Sequence, residues 1–450
     1  MRFSVYSSFF MKKKLFVFLF HLSALSLFAD FAFDLNLQPY KNAEFFVDGL
    51  KVESKLISSD KTLGHLSFTL KDTAASLVIK KDGFRAHTLD LTSIENKKAF
   101  VVLSPINSKY DVIKIFPTGR KPKSVTFVND KTVAVALLDG SGFDLIDIET
   151  GSIKRISPLK EYAEKFGFVE SLVLKHKNEL WVSQMPTASI HIFDLTSFEY
   201  KRTIKSTGTW SKVMAYNAGL DKVYLSNWTS QDISVIDPSS YKEERKIKTK
   251  AVPRGMAFSQ DGKFIYCAQF EDSAGNSQCK LIKKSLADYK TVYEGGVKGA
   301  KRHIVTDYER KLIYVSDMRN NIIEVYSTDK DELVASIKVF FNPNTIQLSP
   351  DKSLLYVSCR GPNNPDKGYL YKGYVFGRLD IIDTKTFTRI ESIEAGNQPT
   401  GLDVSPDGKK IVLSDFFKSS RKSSYSVFLS KLNISSFLLS YFNLKKIYFK

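Results

Sequence analysis

The side chains best suited to chemistry in this 450-residue chain are cations and aromatic rings rather than nucleophiles. Arg120, Lys123, Arg254, Arg302, His303, Arg319 and Arg360 lie in short Gly- and Pro-marked segments such as TGRKPK, AVPRG and KGAKRH. Trp210, Trp228, Tyr369, Tyr371 and Tyr374 are interleaved with them. Cations beside exposed rings suit a polyanion, the charges attracting phosphate and the rings contacting base faces. The bland alternative is a mixed, solubilising surface, since Asp139, Glu271, Asp272, Asp317, Asp366 and Asp415 fall in the same segments and cancel part of the charge. A catalytic constellation is not found. His65, His87, His176, His191 and His303 stand apart, and there is no HExxH, GxSxG, CxxCH or phosphate-loop spacing, so neither an enzyme nor a cofactor or metal site is expected. Cys267, Cys279 and Cys359 are too few for a disulfide framework. A hairpin centred on Ser273 would set Cys267 opposite Cys279, leaving either one cross-strand disulfide or two reduced strand residues.

These residues are spaced by a repeat. A strand tetrad closed by a small residue recurs as LWVS (180–183), VYLS (223–226), IYCA (265–268), IYVS (313–316), LYVS (355–358) and IVLS (411–414). A second strand ending in aspartate follows most of them, as in IHIFD, ISVID and LDIID, and Asp-Gly turn chemistry precedes several. With a further basic and apolar strand per unit, each repeat of about 43 residues reads as four antiparallel strands, the blade of a propeller. The predicted fold is all-β: a seven-bladed β-propeller over 110–430 preceded by a small β-sandwich over 40–104. The opening strand DVIKIF has no inner strands before it and should complete the last blade. The aspartates Asp147, Asp194, Asp237 and Asp383 sit at one fixed place in the repeat, which favours turn hydrogen bonding over metal binding. The propeller loops then gather the cations and rings on one face, and the longest of them, Gly361 to Arg378, is a candidate for specificity.

Composition agrees with a globular chain, 43% hydrophobic and 25% charged. The net charge of +18 is concentrated at the ends: residues 1–29 contribute +4 and residues 416–450 hold seven Lys or Arg and no acid, leaving +7 between them. Residues 1–29 have the layout of a secretory signal peptide, with Met11 the economical start before three lysines and an apolar run. Residues 431–450 form a basic, aromatic tail outside the repeat.

The IYVS and LYVS tetrads, the ISVID and LDIID strands and the phrases GNQPTGLDVSPDGKK and AVPRGMAFSQDGKF resemble the YVTN-type, YncE-like seven-bladed propellers of bacterial and archaeal envelopes. VDG and VIKKDGF upstream resemble a PEGA-type domain. The resemblance implies an exported protein, periplasmic or envelope-associated, and some relatives of that type bind DNA. The expected function is a monomeric, non-catalytic binding or scaffold protein recognising a protein or cell-wall partner through propeller loops. DNA binding through the cationic, aromatic face is the alternative. A lactonase-like metal-dependent hydrolase is the second alternative, for which Asn227, Asp317 and Asp415 are the residues at the channel mouth.

Overall fold

A computed structural model describes residues 30–59, 64–94, 97–373, 375–417 and 425–432. The expected signal segment 1–29, Tyr374 and the tail beyond 432 lie outside the described residues. The chain forms two compact units, Met1–Ile106 and Asn107–Lys450. Among the described residues no helix is long and apolar enough to cross a membrane.

The first unit stacks two four-stranded sheets. It takes in a strand ahead of the expected start at 40, Asp30–Gln38, which lies at the middle of one sheet. The reason is period-2 alternation: Phe33, Leu35 and Leu37 all face inward, and join Phe45, Leu66, Phe68, Leu77 and Ile79 in one core. The Asp48-Gly49 turn joins Glu44–Val47 to Leu50–Val52 with positive φ at both residues, the conformation a two-residue hairpin needs. Asp48 then accepts hydrogen bonds from the main-chain N–H groups of Ala75 (3.1 Å) and Ser76 (2.8 Å), which ties the turn to the neighbouring strand.

The second unit is seven four-stranded sheets, so the fold is a seven-bladed propeller. Blades 1 to 6 run over 122–156, 168–205, 211–248, 251–299, 301–338 and 343–394. Blade 7 holds Asn397–Val404, Lys410–Phe417 and Tyr425–Leu432, and its outer strand is the first of the unit, Tyr110–Thr118, antiparallel to Tyr425–Leu432. The two ends of the unit thus close the ring and no blade edge is left for a missing strand. Apolar clusters bridge neighbouring blades: Trp181, Ile192, Met214, Val223 and Leu225 join blades 2 and 3, and each such side chain contributes about 1.5–3 kcal/mol by leaving water. The strand-end aspartates do close turns. Asp147 accepts from the N–H groups of Glu149 and Thr150, Asp194 from Thr196 and Ser197, and Asp383 from Lys385 and Thr386.

His191 lies within a blade-2 strand with both ring nitrogens engaged. Nδ1 is 2.8 Å from Thr203 Oγ1, and Nε2 is 3.0 Å from Gln184 Oε1, whose amide nitrogen donates to the Tyr162 carbonyl. Gln184 therefore presents an acceptor, so Nε2 carries the proton. Burial pushes the imidazole down to about 3, and burial with the Arg302 charge pushes His303 down to about 4. An unfolded histidine protonates near 6.5, so these groups stabilise the fold fully above that pH. Their contribution is lost as pH falls towards the folded values, at about 1.4 kcal/mol per pH unit each. Urea unfolding of the His191→Gln variant between pH 7 and 4.5 should show a flatter stability profile than the natural chain; an equal slope would remove His191 as a source of acid sensitivity.

Candidate functional site: a cationic collar in the propeller channel

Two repeat positions meet at the channel, and local backbone rules explain both. Every inner strand carries a register shift near its start, between Ser211 and Met214, Pro253 and Met256, Lys301 and Ile304, Pro343 and Ile346, and Pro399 and Leu402, for example. Prolines at 253, 343 and 399 fit there because an inner edge at a bulge has an N–H to spare. A serine closing the tetrad secures the bulge in several blades: Ser226 Oγ accepts from Val213 N (3.0 Å), Ser316 from His303 N (3.0 Å) and Ser414 from Gly401 N (2.7 Å). Ser183 and Ser316 also donate to the next blade's bulge, at the Lys212 carbonyl (2.6 Å) and the Asn344 carbonyl (2.8 Å). The residues at these bulges include Lys123, Lys212, Arg254 and Arg302 in blades 1, 3, 4 and 5. Two residues beyond the closing small residue comes a large side chain: Trp228, Phe270, Arg360 and Phe416 in blades 3, 4, 6 and 7.

These positions interlock. Lys212 lies 3.3 Å and Arg254 4.0 Å from the Trp228 ring centre. Phe270 carries Arg254 at 4.7 Å and Arg302 at 5.6 Å. Phe416 carries Lys123 at 5.3 Å and Arg360 at 5.7 Å, and Arg360 lies 3.6 Å from the centre of Tyr369. The rings supply the negative field that a carboxylate would otherwise supply without taking up the N–H donors of the cations. Among the described residues none of the five cations is ion-paired. Arg254, Arg302 and Arg360 are only 5%, 6% and 0% exposed, yet among the described residues Arg254 Nε, Arg302 Nη1, and Arg360 Nε and Nη1 have no hydrogen-bond partner. Arg302 Nε donates to Asn344 Oδ1, and Arg360 Nη2 to Gln398 Oε1 and the Tyr369 carbonyl.

The electrostatics express this crowding. Burial first, then the charges of Arg254, Lys123 and Arg302, hold the Lys212 ammonium well below its ordinary range. Burial and then Arg302 and Arg360 do the same to Lys123. Glu170 and Glu271 are the acids whose charges reach the arginines; burial pushes the Glu170 carboxyl up, against the pull of Lys123, Arg302 and Arg254. Guanidinium groups do not shed protons in this range, so the three arginines keep their positive charge.

The expected site residues divide. Lys123, Trp228, Arg254, Arg302, Arg360 and Tyr369 are brought together in the collar. His303 lies below it, lining a separate cavity with Tyr216, Gly255 and Gln347, its Nδ1 facing Ile346 N at 3.5 Å. Arg319 donates to the Ser277 carbonyl (2.7 Å) and lines a pocket beside the collar. Three residues lie outside the collar. Arg120 turns outward to Asp139 (3.3 Å), Trp210 sits at a positive-φ turn and is exposed, and Tyr371 is exposed beside Lys367. The disulfide is corrected: Cys267 and Cys279 are free and buried, because Cys267 lies opposite Ile282 in a hairpin whose tip is displaced towards Asn276. Burial pushes their thiols up to about 12 and about 11. Glu170, Asn344, Gln398 and Phe416 belong to the site without having been expected there; the repeat position of Phe416, two residues past IVLS, is the signal that finds it. The 361–377 insertion is clamped to blade 7 by Asn397, which accepts from Gly373 N (3.0 Å) and donates to the Gly373 carbonyl (2.9 Å), and this clamp sets Tyr369 under Arg360.

Two of the residues expected for a lactonase-type metal are engaged within the blades. Asn227 bonds Ser211 and Asp232, and Asp317 is held by Lys301 at 2.6 Å and by Asn320. Among the described residues no three His, Cys, Asp or Glu side chains are grouped to hold an ion.

Comparisons with known proteins agree with the propeller. The family model described as lactonase, 7-bladed beta-propeller, matches residues 203–367. A chain of the Kuenenia stuttgartiensis hydrazine synthase has the same fold, with a TM-score of 0.55 at 16% identity over 69% of this chain and 95% of that one. Antigen Lp49 of Leptospira interrogans serogroup Icterohaemorrhagiae serovar copenhageni is 41% identical over 389 residues, 85% of each chain. An identity of that size along most of both chains makes this protein a member of the same family as Antigen Lp49.

Proposed function

We propose that this protein is an exported envelope or surface protein that binds, without converting, a multiply anionic group presented by a protein or cell-wall partner, in the mouth of its propeller channel. The observation that carries the reading is the collar: five cations held by aromatic rings, three of them buried arginines with unfilled N–H donors. Export draws its support from the layout of residues 1–29 and from a relative named as an antigen. The LYVS-type tetrads support placing the propeller among YVTN-type, YncE-like proteins, and the Asp-Gly turns a PEGA-like first unit. Nucleic acid is the weaker reading, because the Trp228 ring that would stack on a base already carries Lys212 and Arg254. Calorimetric titration of the full chain with tripolyphosphate tests the proposal. We expect one site whose affinity falls steeply between about 50 and 200 mM salt. No heat, and no rise in the thermal midpoint with tripolyphosphate, would end the reading. A single-stranded oligonucleotide binding more tightly than tripolyphosphate at the same salt would transfer it to nucleic acid.

A further inference from the structure

Beside the collar lies a pocket of about 510 Å³ formed by loops of blades 4, 5 and 6. Two of its walls are Phe270 and Tyr369, the rings that carry Arg254, Arg302 and Arg360 on the collar side. A ligand anchored on those guanidinium groups therefore has this pocket as its neighbouring space. Its lining has a definite chemistry: the carboxamides of Asn276, Gln278, Asn342 and Asn363, the cation Arg319, and no carboxylate. Asn342 Nδ2 donates to the Gly361 carbonyl at 2.8 Å, which fixes the orientation of its amide. A carboxamide presents a donor and an acceptor side by side, the pattern that a hydroxyl, itself donor and acceptor, satisfies best. Ring faces next to carboxamides match the C–H face and the hydroxyl rim of a sugar. A peptide would instead seek an unpaired strand edge or deep apolar side pockets. Here the walls are loop side chains, with Ala300 and Met318 the aliphatic contributions.

Resting on the anion-binding reading above, we propose that the collar and this pocket together bind an acidic oligosaccharide, its carboxylates on Arg254 and Arg302 and an adjoining sugar ring among Asn276, Gln278, Asn342 and Asn363. The collar supplies charge recognition and the pocket supplies sugar recognition, so the two can be separated by experiment. The full chain is titrated calorimetrically with trigalacturonate, the neutral galactose trisaccharide, hexa-aspartate and tripolyphosphate. Trigalacturonate should bind about tenfold or more tightly than either the neutral sugar or hexa-aspartate. Asn363→Leu and Gln278→Leu, both at exposed loop positions, should each weaken trigalacturonate about tenfold and leave tripolyphosphate within about twofold. Equal affinity for trigalacturonate and hexa-aspartate, or unchanged trigalacturonate affinity in both variants, overturns the sugar proposal while tripolyphosphate binding keeps the anion site standing. Loss of tripolyphosphate binding by the natural chain as well ends both.

Discussion

Arg254→Met is expected to stabilise the protein in anion-free, low-salt buffer by about 1–3 kcal/mol and to weaken tripolyphosphate about tenfold or more. A buried ion pair loses stability when one partner is removed, but Arg254 has no such partner. Its side chain is 5% exposed, its Nε has no hydrogen bond among the described residues, and the strongest charge acting on it is the like charge of Arg302, ahead of the acids Glu271 and Glu170. Methionine keeps an unbranched apolar stem between Trp228 and Phe270 and deletes the charge, so it removes repulsion and desolvation cost while retaining packing. The cation–ring attraction lost in exchange is about 0.5–2 kcal/mol. Anion binding works in the opposite direction. A ligand at a hundred times its dissociation constant stabilises the natural protein by about 2.7 kcal/mol, and the variant should show little of this. Urea midpoints with and without tripolyphosphate read both effects on one pair of proteins. A variant less stable than the natural chain in both conditions would make Arg254 a structural cation and remove the collar's claim to be a binding site.

The propeller was legible because its units repeat in phase: tetrad, turn and aspartate recur often enough to overcome the ambiguity of any one short strand. Much of the site was legible for the same reason, and what escaped did so for identifiable reasons. Lys301 and Arg302 are adjacent in sequence and were both assigned to the loop face. The bulge at 302–303 sends Arg302 into the channel, whereas Lys301, paired across the sheet with Asp317, goes into the body of the blade. A shift of one residue in a strand reverses a side chain, and composition does not record it. The rings were read as surfaces for bases; in the structure they face the cations, a relation that depends on blade n meeting blade n + 1 and so on no local motif. The disulfide failed on register alone, since three residues of slip in the 272–276 turn separate two cysteines that a symmetric hairpin would join. Asp30–Gln38 falls between the expected leader, 1–29, and the expected sandwich, 40–104, because its alternation begins where the apolar run ends.

The neighbouring lysine supplies the opposite sign. Lys301→Ala is expected to cost about 3–5 kcal/mol, the loss typical of breaking a buried ion pair from one side. Lys301 is 0% exposed and bonds Asp317 Oδ2 at 2.6 Å and Glu324 Oε2 at 2.7 Å, both themselves 0% exposed. Asp317 is further held by the N–H groups of Ala300 (3.1 Å) and Arg319 (3.1 Å), and Glu324 by Val297 N (2.8 Å) and the Tyr326 hydroxyl (2.6 Å). Without the ammonium those bonds remain, but two carboxylates are left together in a dry interior with one charge fewer to balance them. The expected response is uptake of a proton, so the variant should be least stable at neutral pH and should recover as the solution is acidified. Adding Asp317→Asn and Glu324→Gln to Lys301→Met removes all three charges and should restore much of the lost stability, which separates the electrostatic account from simple cavity formation. Urea unfolding at pH 5 and pH 8 of the single and triple variants measures this; equal losses for both, without pH dependence, would assign the cost to packing. Opposite signs at Arg254 and Lys301, two buried cations one blade apart, would establish that only the channel cation is poised for a ligand.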